Sequence, residues 1–131
     1  MIAMTALAIE QVLKQCPMCQ ASWADLRALV EDRSLRVVGY MACFDDVDCG
    51  LVLLTHQTVT CGTTIVVPAR VLRPLYHGPQ IDIHATLSAQ CPRLCTRRQD
   101  FEVCTVPCDM AWVREAMQVL RKHEWPLCMP R

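Results

Sequence analysis

The sequence predicts an α+β fold: a small antiparallel sheet of three or four strands, N-terminal helices, a C-terminal helix and a metal-stabilised cysteine-rich segment. Three observations lead there. Apolar residues recur at helical spacing near both ends of the 131-residue chain. Short β-branched runs fill its middle. Ten cysteines, six of them in close pairs, concentrate where that periodicity fails.

The elements follow in order. Ile2, Ala6, Ile9 and Leu13 share one face of a helix expected over about residues 2–15, which Pro17 stops by removing a donor and crowding the preceding turn. Ser22 followed by Asp25 has the form of a capping box, and Trp23, Leu26, Leu29 and Val30 give a second short helix its apolar face. Cys16 and Cys19 are then expected at a helix–turn–helix junction. Residues 35–42 and 51–54 read as strands, with Asp45, Asp46, Asp48 and Gly50 in the turn between them. A third strand is expected over 62–67, ended by Pro68, and a short helix over 69–76, limited by Pro74. Ile81, Ile83, Ala85 and Leu87 alternate with Asp82, His84 and Thr86, the period of a half-buried strand. Beyond Cys91 periodicity fades until Asp109, expected to cap a last helix with the stripe Met110, Val113, Met117 and Leu120. Arg121, Lys122 and His123 suit the negative end of its dipole, and Pro126 closes it. With no repeat and no linker, residues 1–131 read as a single domain: a helical start over 1–33, a sheet region over 34–88, and a cysteine-rich segment with the final helix over 89–131.

Charge narrows the classes of function. Lys plus Arg and Asp plus Glu both number 13, so no overall field draws the chain to nucleic acid or an anionic membrane. The first residues carry no early Lys or Arg, Glu10 interrupts the apolar start, and no run is long enough to span a bilayer. Cys128 stands four from the end, where Pro130 and Arg131 make a poor prenylation box. The expected location is cytoplasmic, the expected partner a protein. In that compartment structural disulfides are rare, which shifts weight to metal binding or thiol redox chemistry.

Cys16 and Cys19 form a C-x2-C pair; Cys91, Cys95, Cys104 and Cys108 form C-x3-C-x8-C-x3-C. A tight turn inside each pair turns both sulfurs to one side, and two such pairs complete a four-thiolate shell for zinc or an iron–sulfur cluster. No histidine lies between Cys91 and Cys108, so that quartet is the first ligand set expected, all-cysteine in kind. Cys16 and Cys19 belong either to the same site or to a second one with Cys43, Cys49, Cys61 or His56. Two features weigh against a zinc knuckle at the C-x2-C: Gln20-Ala21 replace the usual glycine, and the overall spacing fits no standard finger, ferredoxin or Rieske pattern. Cys43, Cys49 and Cys61 can also be simple buried residues, and His56 an exposed hairpin histidine.

The rival chemistry is thiol–disulfide exchange, in a redox enzyme or redox sensor without bound metal. Cys108, just before the last helix, and Cys95, near Arg93, Arg97 and Arg98, are placed where thiolates are favoured. The same fields stabilise metal-bound thiolates, so they do not separate the two. Asp45, Asp46 and Asp48 lack the spacing and bidentate Glu of a calcium loop, and no Cys–His dyad or carboxylate pair forms a catalytic constellation. At Val38-Gly39-Tyr40, His56 through Cys61-Gly62-Thr63-Thr64, and Cys91 to the Cys108-Asp109-Met110-Ala111 helix start, the chain resembles small cysteine-rich bacterial proteins of unassigned function. That resemblance implies no catalytic residue.

Overall fold

The computed structural model describes residues 12–126. The predicted class holds: two antiparallel sheets, of two and three strands, with helices that include one near the C-terminus. Most of the helix expected over residues 2–15 lies outside the described residues. Its end does not: Lys14–Gln15 is a strand, β1, paired with β2, Ser22–Trp23. Ser22 and Trp23 are therefore extended rather than helical, and Cys16 and Cys19 occupy the turn of a hairpin. Pro17 stands in that turn, where its fixed φ is an advantage.

Helix α1, Leu26–Glu31, starts at Asp25, whose carboxylate accepts from the Ala28 amide at 2.9 Å, a side-chain cap. It turns Leu29 and Val30 into the core. The main sheet is a meander of β3, Leu35–Met41, β4, Leu51–His56, and β5, Thr64–Pro68. In β4 every second residue is buried, so Val52, Leu54 and His56 point to one face. In β3 the register shifts between Val37 and Gly39, an irregularity that lets Val37 and Tyr40, three residues apart, both face Val52 and Leu54 in the core, while Gly39 lies under Arg98 on the other face.

A 3-10 helix, Ala69–Leu75, follows β5 and buries Ala69, Leu72 and Leu75. Helix α2, Ala111–Lys122, packs on that segment, on α1 and on β3. Its buried stripe includes the expected Met110, Val113, Met117 and Leu120, and Trp23, α1, the sheet and α2 share one core.

Two expectations fail between β5 and α2. Residues 81–87 form no strand: Ile83 is 61% exposed, and Leu87 has φ 65°, a left-handed conformation no strand accepts. The alternating sequence pairs with no strand; its Ile83 carbonyl accepts from the Asp109 amide at 2.7 Å and its Ala85 carbonyl from the Ser88 amide at 2.9 Å. Asp109 does not cap α2 either; its carboxylate meets His84 Nδ1 at 3.0 Å, and Met110 holds the cap position without a side-chain bond.

The segment 89–110 is held by its backbone. Arg98 offers its carbonyl to the Tyr40 amide at 2.8 Å, Arg114 donates to the carbonyls of Asp100 and Glu102, and Gln118 donates to that of Phe101. Between β3 and β4, Cys43 and Cys49 form a disulfide with Cα atoms 5.6 Å apart, closing the acidic turn.

Candidate metal centre

The first half of the site is the β1–β2 hairpin. Its turn is closed by two backbone bonds, from the Cys16 amide to the Ala21 carbonyl at 2.7 Å and from the Gln20 amide to the Cys16 carbonyl at 3.0 Å. Gln20 has φ 68°, the left-handed position that glycine usually fills after a C-x2-C pair. Gln20 thus adopts the knuckle's backbone without a glycine, and its side chain, bonded to Gln15 at 2.9 Å, steadies it there. The knuckle turns the Cys19 and Met18 amides toward the Cys16 sulfur.

The second half comes from the β4–β5 connection. The β3–β4 ladder, through Val37 opposite Leu54 and Leu35 opposite His56, carries the inward face of β4 to His56, which is 5% exposed. The His56 amide donates to the Thr63 carbonyl at 2.9 Å, and Thr58 and Cys61 form an isolated bridge that folds the loop back. Cys61 is thereby buried beside His56. Behind the imidazole, the Trp23 ring packs edge-on with centroids 5.2 Å apart, and Trp23 Nε1 donates to Asp32 at 2.8 Å. Asp32 is itself held by the Ser34 amide and hydroxyl, and this chain from Asp32 through Trp23 sets the attitude of the imidazole.

The two halves converge. Cys16 Sγ lies 3.7 Å from Cys61 Sγ, Cys19 Sγ lies 3.4 Å from His56 Nδ1, and all four ligand atoms fall within 4.8 Å of one another. Among the described residues no other group of three or more His, Cys, Asp or Glu ligand atoms gathers so closely. This cluster can hold a metal ion. Without one, Cys16 is lowered to about 6 by the backbone amides of Cys19 and then Met18, against burial. Cys19 goes the other way: the Ala21 amide pulls it down, but burial and the neighbouring Cys16 and Cys61 thiols push it up. A lowered Cys16 beside a raised Cys19 is a poised ligand pair, since metal entry displaces thiol protons.

The expected ligands divide into three groups. Cys16, Cys19, Cys61 and His56 come together, and His56 is a buried member of the cluster rather than an exposed hairpin residue. Cys43 and Cys49 are bonded to each other and so leave the ligand set, because disulfide sulfurs are not thiolate donors. Cys91, Cys95, Cys104 and Cys108 remain free thiols and line one small cavity, yet no three of their sulfurs approach within 4.8 Å. Their turns, unlike those of the first four, are not tied into a ladder. The signal that marked His56 was available in the period of β4, where residues 52, 54 and 56 share a face.

No family model, curated protein or solved structure matches this chain. Among the described residues no helix is long and apolar enough to cross a membrane.

Proposed function

We propose that Cys16, Cys19, His56 and Cys61 bind one zinc ion in a closed tetrahedral site, and that the protein is a zinc-stabilised interaction module. The observation that carries the reading is the spacing of the ligand atoms. Zn–S bonds of about 2.3 Å and Zn–N bonds of about 2.0–2.1 Å at tetrahedral angles put sulfurs about 3.8 Å apart and sulfur and nitrogen about 3.6 Å apart. The observed 3.7 and 3.4 Å match a single ion. Three thiolates and an imidazole suit zinc by softness, and four protein donors leave no open position for a substrate, which favours a structural over a catalytic ion. Met18, 71% exposed in the knuckle, and Val59, fully exposed between His56 and Cys61, stand on the two loops the ion would lock. They give those loops an apolar face for a protein partner.

The test is metal analysis of protein purified without oxygen, followed by cobalt substitution. One zinc per chain, replaced by cobalt with thiolate charge-transfer bands that weaken in Cys19→Ser, is the expected result. A second reading has its own support: Cys16, lowered to about 6, faces Cys61 at 3.7 Å, the arrangement of a thiol–disulfide pair. Metal-free protein in which Cys16 and Cys61 oxidise and reduce reversibly in a dithiol buffer would replace zinc binding with that chemistry.

A further inference from the structure

The four remaining described thiols form a second constellation, on different elements from the first. Cys91 precedes the 3-10 turn Leu94–Thr96 and Cys95 lies within it, while Cys104 and Cys108 lead into α2. All four line one cavity, whose other walls include Leu94, Val106 and Met110. Arg93 has φ 64° and aims its amide at the Cys91 sulfur at 3.3 Å, while the Thr86 hydroxyl donates to Met110 Sδ at 2.9 Å. Donors pointed at sulfur stabilise thiolates and cluster-bound thiolates alike.

A second observation calls for negative charge here. Arg114 is fully buried, its Nη1 satisfied by Asp100 and Glu102, while Nε and Nη2 have no hydrogen-bond partner. The guanidinium stands 5.9 Å from the Tyr40 ring, and Tyr40 and Cys95 line one pocket. The Tyr40 hydroxyl, also buried without a partner, lies in the same neighbourhood. Buried donors and a buried cation without a counter-charge are costly, and an anionic centre among the four sulfurs removes that cost.

We infer that Cys91, Cys95, Cys104 and Cys108 hold an iron–sulfur cluster, with Arg114 as the buried counter-charge. The spacing separates a cluster from a single ion. Zinc draws its thiolates to about 3.8 Å, as at the first site, whereas here no three sulfurs stand within 4.8 Å and a void lies between them. A cluster spreads its four thiolates more widely, because each bonds a different region of a polynuclear core. The void is small, about 20 Å³, and its walls Leu94 and Val106 are half-buried and stand on chain that belongs to no sheet. The inference does not rest on zinc at the first site.

The experiment is anaerobic reconstitution of the full chain with ferrous iron and sulfide, reading iron, acid-labile sulfide and zinc per chain with the visible spectrum. Iron and sulfide in equal amounts, with sulfide-to-iron bands, are expected in the unaltered protein. Cys104→Ala and Cys91→Ala should lose at least four-fifths of that iron while keeping the amide-exchange protection of Val113 and Met117 on α2, which shows that they fold. Cys19→Ser should keep the iron. Zinc at the second quartet without sulfide uptake, iron retained in the Cys91→Ala/Cys104→Ala double variant, or no sulfide incorporated at all would each overturn the inference.

Discussion

Cys16, Cys19 and Cys61 sit on turns whose ends are tied into β-ladders; Cys91, Cys95, Cys104 and Cys108 sit on chain that belongs to no ladder. Backbone bonds on both sides of the first site press its donors to 3.4 and 3.7 Å. The second quartet is tied to β3 and α2 through the carbonyls of Arg98, Asp100, Phe101 and Glu102, and its sulfurs stay apart around an apolar void. The same side chain therefore meets two regimes. In one, secondary structure has already gathered the donors; in the other, it leaves them apart.

The largest effect that sharpens this contrast is removal of metal from the first site. Structural zinc contributes about 10–16 kcal/mol of apparent binding free energy in small zinc domains, far above what a hairpin with two paired residues per strand can hold by itself. A chelator strong enough to strip zinc should melt the β1–β2 hairpin. Amide exchange at Leu13 and Cys16 should rise by at least a hundredfold, while Val113 and Met117 on α2 keep most of their protection. Unchanged exchange at Cys16 after stripping would mean that the ladders alone hold the donors, and the contrast would fail.

Arg114 gives the next effect, with a change of sign. In metal-free protein Arg114→Met replaces a buried cation with an apolar chain, a change that is often neutral or stabilising by about 1–4 kcal/mol, less the bonds lost at Asp100 and Glu102. In cluster-loaded protein it leaves a buried anionic centre uncompensated, at about 3–5 kcal/mol. Denaturant midpoints measured with and without the cluster should move in opposite directions. Equal shifts in both forms would remove Arg114 from the second site.

Much of the fold was legible because it rests on period. The strands β3, β4 and β5 and the stripe of α2 follow spacings of two and of three to four residues, and those elements form the core. Failures came where period and context disagree. Lys14 and Gln15 continue a helical spacing but pair with Ser22 and Trp23, since the knuckle needs extended chain on both sides. Ile81 to Leu87 alternate but have no strand to pair with. Among the site residues, Cys16 and Cys19 were visible as a pair, but their partners His56 and Cys61 lie about forty residues away, brought near by sheet register. Gln20 counted against a knuckle because a left-handed backbone at a non-glycine residue leaves no mark in sequence.

A control outside both sites is the Cys43–Cys49 disulfide. Replacing both with Ser removes a short-loop constraint worth about 2 kcal/mol in the chain-entropy account. Denaturant unfolding should register that loss, and reductant should reproduce it in the unaltered protein. Metal content at both sites should stay constant.

The smallest predicted effect tests how far support for the first site extends. Asp32 accepts from Trp23 Nε1 and from Ser34, and these bonds hold its carboxyl below the ordinary range although burial pushes it up. A group depressed in the folded state contributes stability above its unfolded pKa of about 3.9, and that contribution is lost as pH falls through the lower folded value. Asp32→Asn removes the charge and keeps the shape. It should lower stability near neutral pH by about 1 kcal/mol, discounted because the carboxylate is partly solvated, and should flatten the acid limb of the stability curve below pH of about 4. The second quartet should not respond, since Asp32 acts through Trp23 on His56 alone. Cobalt spectra of the first site are the finer reading: a shifted ligand-field band in Asp32→Asn, with zinc stoichiometry intact, would show that Trp23 transmits its position to the imidazole. An unshifted band would confine Asp32 to anchoring β2.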